Sequence, residues 1–177
     1  DLMKKQGDIQ YEIPWNTLGE YLQFLEKKGV STNIASFIGA TTLRINAVGY
    51  EDRKPNPKEL KLMTDLVHQG MKEGALGIGS SLIYAPAFYS STEELIEICK
   101  IAAQYDGMYI SHMRSEGNKI LESVDELITI AVSSGLFPLI FETSSRVLPV
   151  KYFKLSFLKP TNISLSADSA ARIRFSH

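Results

Sequence analysis

Short apolar runs alternate with longer stretches of helical spacing along most of this chain, and that alternation leaves few folds open to it. Residues 17–28 (TLGEYLQFLEKK) place Leu18, Tyr21, Leu22 and Leu25 at a helical period and stop at Gly29. Residues 33–38 (NIASFI) form a short apolar run ending at Gly39 and read as a buried strand. The spacing predicts a second helix over 56–73, with Leu60, Leu62, Met63, Leu66, Val67 and Met71, Pro57 in the first turn, and Gly74 as a stop. A second strand follows at 75–80 (ALGIGS). A third helix spans 92–104, with Ser91 or Thr92 as N-cap and Glu93 and Glu94 where negative charge suits the helix dipole. The third strand is 108–111. A helix over 119–134 sets Ile120, Val124, Leu127 and Ile128 on one face and closes at Gly135, and the fourth strand is 139–141.

Repeats of this kind, at roughly 30 to 40 residues each, are the signature of parallel β/α architecture. The strands read as continuous apolar runs, as expected when both faces are covered. Four such units are about half of a closed eight-stranded barrel of ~250 residues. The expected fold class is therefore α/β, a partial (β/α)8 TIM barrel of about four units over residues 1–142. Residues 143–177 lose the pattern: serine is dense and caps and turns do not line up, which predicts an irregular tail with at most a short strand near 147–153. A frameshift or a truncated gene model would produce so abrupt a loss of pattern after Phe141.

The chain has 177 residues, enough for one ordinary domain. At 44% hydrophobic and 22% charged residues it can bury a core. The net charge is −1 with scattered lysines, so nothing calls for nucleic acid or an anionic membrane. No apolar run reaches the ~18 residues of a transmembrane helix. No signal peptide is read, and the start at Asp1 points to a segment of something longer. The lone Cys99 forms no internal disulfide and fits a reducing, cytoplasmic setting.

In parallel β/α folds, function gathers at the C-terminal ends of the strands. Strand one runs into Gly39–Ala40–Thr41–Thr42–Leu43–Arg44, strand two into Gly79–Ser80–Ser81–Leu82–Ile83–Tyr84–Ala85–Pro86, and strand three into His112–Met113–Arg114–Ser115–Glu116. A histidine leaving a strand there can reach a metal or substrate. The arginine and glutamate beyond it can bind an anion or hold the histidine. Plainer readings stand beside these. A single histidine is more often structural than a ligand, and catalytic zinc takes three protein ligands. Arg114–Glu116 also reads as a surface ion pair, and Tyr84 as a packing aromatic. His68 reads as a surface residue and His177 as a terminal one. Gly77–Gly79 lacks the rest of a phosphate loop. Cys99, mid-helix, reads as a buried structural thiol.

Four stretches together resemble the central part of the N-acyl-D-amino-acid deacylase (D-aminoacylase) family of the amidohydrolase superfamily. They are GATTLRINAVG from Gly39, the run from Glu59 to Ala103 that contains GALGIGSSLIYAP, the strand GMYISHMRSEG from Gly107, and the helix ILESVDELITIA from Ile120. The resemblance implies a metal-dependent amide hydrolase in a (β/α)8 barrel, with zinc as cofactor and an N-acyl-D-amino acid as small-molecule substrate. By the same resemblance His112 matches a metal-ligand histidine at a strand end. Tyr84 matches a catalytic tyrosine near the scissile carbonyl, and Arg114 and Glu116 match residues that bind substrate or support the histidine.

The chain also departs from the family pattern. The opening His–x–His strand and the ligand cysteine are missing, and Cys99 does not match the latter. Leu139 to Ser144 stands where a second ligand histidine and a lysine belong. Asp168 lies in unmatched sequence. These departures predict that the chain alone is an incomplete part of the catalytic barrel. The competing expectation is a non-catalytic or degenerate half-barrel that self-associates to cover its edge strands. A third is an unrelated α/β domain with an anion site at His112 and Arg114.

Overall fold

The computed structural model describes residues 13–140. The expected tail at 143–177, its strand near 147–153, and Phe141, Glu142, Asp168 and His177 lie outside the described residues. Within them, helices and strands alternate: α1 (Leu18–Lys28), β1 (Ile38–Gly39), α2 (Ala40–Ala47), α3 (Pro57–Lys72), β2 (Gly77–Ser81), α4 (Thr92–Ala103), β3 (Met108–His112), α5 (Ile120–Ser134) and β4 (Phe137–Ile140). A single turn of 3-10 helix covers Ala87–Tyr89.

The four strands form one parallel sheet in the order β1-β2-β3-β4. Ile38 pairs with Ile78, Ile78 with Tyr109, and Tyr109 with Pro138. An α/β fold with a parallel sheet is thus what the alternation produces. Among the described residues no helix is long and apolar enough to cross a membrane.

Local chemistry explains the helix starts. Thr17 and Glu20 form a reciprocal capping box at α1, and Asn56 and Glu59 form another at α3, where Pro57 occupies the first turn. Ser91 caps α4 by accepting from the Glu94 N–H. Gly135 closes α5 in the left-handed region at φ 79°.

The boundaries differ from expectation by more than one residue in four places, one being β2, which starts at Gly77 rather than at 75. Residues 33–37 are not strand. β1 pairs through only two residues, with one further hydrogen bond from the Leu76 N–H to the Ser36 carbonyl (2.9 Å). It is one edge of the described sheet. The run after Gly39, read only as the end of strand one, is instead the helix α2. The fourth strand begins at Phe137, two residues early, and includes Pro138. In α5, Ile120, Val124 and Leu127 pack inward as expected, but Ile128 is exposed, and Ile130, Ala131 and two serines fill the buried face.

The two faces of the sheet are unlike. Ile78, Ser80, Tyr109 and Ser111 point under the helices and are buried, whereas Gly79, Ser81, Met108, Ile110 and His112 alternate to the other face and are half-buried. The core sits on the helix side, where Met63, Val67, Leu95, Ile98 and Leu127 close over Ile78 and Tyr109. β2 and β3 approach so closely at Gly77 (φ 149°) that a Cβ there would lie 2.0 Å from the Met108 carbonyl oxygen, so glycine is required. Cys99 is fully buried in this core, and burial pushes its thiol pKa far up, as the structural reading expects.

Candidate active site at the strand ends

Ser81 and His112 are register partners, so β2 and β3 end side by side. The ladder runs one residue further: the Leu82 N–H donates to the His112 carbonyl at 2.9 Å and ties the next loop to the end of β3. The Tyr84 N–H then turns back to the Ser81 carbonyl (3.1 Å). That turn brings the Tyr84 ring edge-on to the His112 imidazole, with centroids 5.4 Å apart and planes at 82°. Tyr84 remains 61% exposed, so it is not the packing aromatic that its sequence context also allowed.

His112 has a carboxylate partner four residues on. Its Nε2 lies 2.9 Å from Glu116 Oε1, with the two side chains 20% and 25% exposed. With Nε2 donating to Glu116, Nδ1 keeps its lone pair for another partner. A carboxylate placed so orients an imidazole. Tyr84, His112 and Glu116 therefore meet at one rim of the sheet.

Arg114 does not join them, and the expected Arg114–Glu116 pair does not form. The guanidinium turns the other way. Nε and Nη2 donate to the two carboxylate oxygens of Glu126 on α5, both at 2.9 Å. Nη1 reaches the Phe88 carbonyl and Nη2 also reaches the Ser90 carbonyl (2.9 Å), while the group sits over the Phe88 ring at 5.6 Å. His68 is likewise not a free surface residue: its Nδ1 meets the Tyr105 hydroxyl at 2.6 Å.

Two polar clusters behind the rim escaped the sequence reading. Arg44 and Glu94 form an ion pair at 2.7 Å with side chains 0% and 2% exposed. Arg44 had appeared only as part of a strand-end run, and Glu94 only as a first-turn charge; their separation of 50 residues carries no periodic signal. On the helix face, the Ser80 hydroxyl contacts the Tyr109 phenol (2.8 Å) and the Ser111 hydroxyl (2.9 Å). Burial pushes the Tyr109 pKa up, against the opposing effect of the Ser80 contact.

Catalytic zinc takes three protein ligands and leaves a position open. Among the described residues no three His, Cys, Asp or Glu side chains gather to hold a metal ion. His112 and Glu116 are two candidate donors, one short. Residues 13–140 do not by themselves fit a metal centre.

Known proteins share this region. No protein-family model matches the chain. A D-aminoacylase of Alcaligenes xylosoxydans xylosoxydans is 32% identical over 130 residues, which are 73% of this chain and 26% of that protein. An N-acyl-D-glutamate deacylase of the same organism is 28% identical over 115 residues, 65% of this chain and 24% of the relative. The crystal structure of D-aminoacylase, which defines a novel subset of amidohydrolases, matches with a TM-score of 0.67 at 31% identity, over 70% of this chain and 26% of that one. The N-acyl-D-glutamate deacylase from Bordetella bronchiseptica, complexed with zinc and a phosphonate mimic of the tetrahedral intermediate, shares the fold at a TM-score of 0.65 and 24% identity. The parallel α/β region is therefore of amidohydrolase type. Within that class its homologues are D-aminoacylases and N-acyl-D-amino-acid deacylases, and the chain spans about a quarter of the length of the relatives it matches.

Proposed function

We propose that this chain is part of the catalytic barrel of a zinc-dependent hydrolase that cleaves the amide bond of N-acyl-D-amino acids. The four strands are taken as consecutive members of a (β/α)8 barrel, in a cytoplasmic enzyme. His112 is one contribution to its metal centre, and the other ligands come from beyond residues 13–140. Tyr84 stands where its phenol can donate to a carbonyl held next to His112, a form of help that strengthens as negative charge develops on the oxygen. Glu116 keeps the imidazole oriented. Arg114 orders the loop that carries Tyr84 rather than touching the histidine.

The observation that supports this reading is the meeting of Tyr84, His112 and Glu116 at the C-terminal ends of adjacent parallel strands. The relatives add support, since D-aminoacylase has a binuclear metal centre. Zinc content decides it: wild-type chain and His112→Ala are purified without chelator, exposed to zinc, and compared by elemental analysis. Zinc bound by the wild type and lost in the variant supports a metal site at His112. Equal zinc in both removes His112 from any such site.

The donor count favours a second reading, in which the chain by itself is a half-barrel without metal or turnover. Such a half-barrel would self-associate through the open side of β1. Absence of zinc from both samples supports it. Under either reading the free chain is expected to show no hydrolysis of N-acetyl-D-methionine above background, and measurable zinc-dependent turnover would overturn its incompleteness.

A further inference from the structure

We propose that Glu126 is a positioning residue for Tyr84, acting through the Arg114 guanidinium and the backbone of the loop between β2 and α4. The proposal rests on the reading of the strand ends given above and adds to it a residue that touches neither Tyr84 nor His112. An exposed tyrosine on a loop has little packing to hold it. Its place next to His112 has to come from the loop's hydrogen bonds.

Those bonds form a short relay. At the entry, the Leu82 N–H is held by the His112 carbonyl. Across the loop, the Phe88 N–H donates to the Tyr84 carbonyl at 2.9 Å. Residue Phe88 is in turn held through the next peptide group, since the Phe88 carbonyl accepts from Arg114 Nη1, and the Ser90 carbonyl accepts from Nη2. Arg114 can serve two loop carbonyls at once only if its plane is fixed. Glu126 fixes it: the carboxylate takes Nε and Nη2 in a fork, both at 2.9 Å, leaving Nη1 and the second Nη2 hydrogen aimed at the loop. Glu126 is itself anchored. It stands on α5, and the Thr92 hydroxyl at the start of α4 donates to its Oε1 at 2.9 Å. The carboxylate thus sets the arginine, the arginine holds the Phe88 carbonyl, and the amide on the other side of the Phe88 Cα holds the Tyr84 carbonyl.

A merely stabilising ion pair would behave differently. Its loss would lower the melting temperature without moving Tyr84 relative to His112. The test uses the isotope-labelled full chain as wild type, Glu126→Gln, Glu126→Ala and Arg114→Lys. The nuclear Overhauser contact between the Tyr84 and His112 rings is read together with chymotryptic cleavage within 82–90 and with the melting temperature. The glutamine keeps one acceptor and the Thr92 contact, and the lysine keeps the charge but cannot hold a fork and two carbonyls. We expect the ring contact to weaken in Glu126→Gln and Arg114→Lys and vanish in Glu126→Ala, with loop cleavage about tenfold faster and cleavage elsewhere unchanged. Wild-type contact and cleavage in all three variants would overturn the proposal. So would loss of the contact only in step with global melting. Zinc is measured on the same samples: a Tyr84 contact that depends on Glu126 in a chain without zinc keeps this inference while the metal reading fails.

Discussion

Arg44 and Arg114 each follow the end of a strand, pair with a carboxylate on a helix, and give further N–H groups to two loop carbonyls. Arg44 holds Glu94 through Nη1 and the carbonyls of Glu51 (3.0 Å) and Arg53 (2.6 Å) through Nη2. Arg114 holds Glu126 and the carbonyls of Phe88 and Ser90. The two clusters touch at Ser90, whose hydroxyl donates to Glu94 (3.1 Å) while its carbonyl accepts from Arg114. Depth separates them. The Arg44 side chain is fully buried and that of Arg114 is 25% exposed. Desolvating a buried ion pair costs several kcal/mol per ion, so such a pair adds little net stability yet makes the loss of either partner severe. Arg44 also leaves its Nε without a partner among the described residues, an added cost. At Arg114 water can replace part of what a substitution removes. One donor plan therefore serves as a fixed strut between α2 and α4 and as an adjustable clamp on the loop that presents Tyr84.

The comparison breaks most visibly at the deep end. Arg44→Ala is expected to destabilise the chain by about 3–5 kcal/mol, because it leaves the Glu94 carboxylate buried and unpaired. Chemical denaturation of the full chain measures this. Replacing both partners together, Arg44→Met with Glu94→Leu, is expected to cost far less, since no uncompensated charge remains. A single substitution no more harmful than the double would mean that Arg44 is not a strut. Arg114→Ala comes next, at about 1–3 kcal/mol in the same experiment, the range for removing one partner of a charged hydrogen-bonded group that water can partly replace. Equal costs at the two sites would erase the distinction of depth.

How much of this was legible follows from range along the chain. Helix starts were readable because their signals are local: Asn56, Pro57 and Glu59 lie within four residues, as do Thr17 and Glu20. Gly74 and Gly135 marked the stops equally well. α2 was not readable, since ATTLRINA has a weak helical pattern and no side chain caps its start at Gly39. At the site, His112 stood out at a strand end, and its partner Glu116 lies one helical-length step away, within reach of inspection. Tyr84 was visible through the resemblance. Glu126 and Glu94 were not, because a carboxylate 12 or 50 residues from its arginine leaves no pattern in the sequence. The helices bring those partners together only after the core has formed.

Smaller effects sharpen the same ordering. Tyr109→Phe removes one of the two hydroxyl partners of Ser80 but leaves Ser111 in place, so a loss of about 1 kcal/mol is expected on denaturation. Arg53 supplies the shallowest case. It is 40% exposed and forks onto Glu59 at 2.7 Å. The Arg53 hydrogen bond, with the Asn56 N–H behind it, holds the Glu59 carboxyl down to about 2 from an ordinary 4.5. A carboxylate depressed on folding stabilises the fold above its unfolded value, and that contribution fades as pH falls from 4.5 through about 2. Because Arg53 faces water, salt should screen what the pair contributes. The melting temperatures of wild type and Arg53→Ala should therefore differ least of all the pairs compared, and the small gap should close on acidification or added salt. A gap that survives both, or that rivals Arg44→Ala, would show that burial does not rank these arginines. The strut and the clamp would then need another physical account.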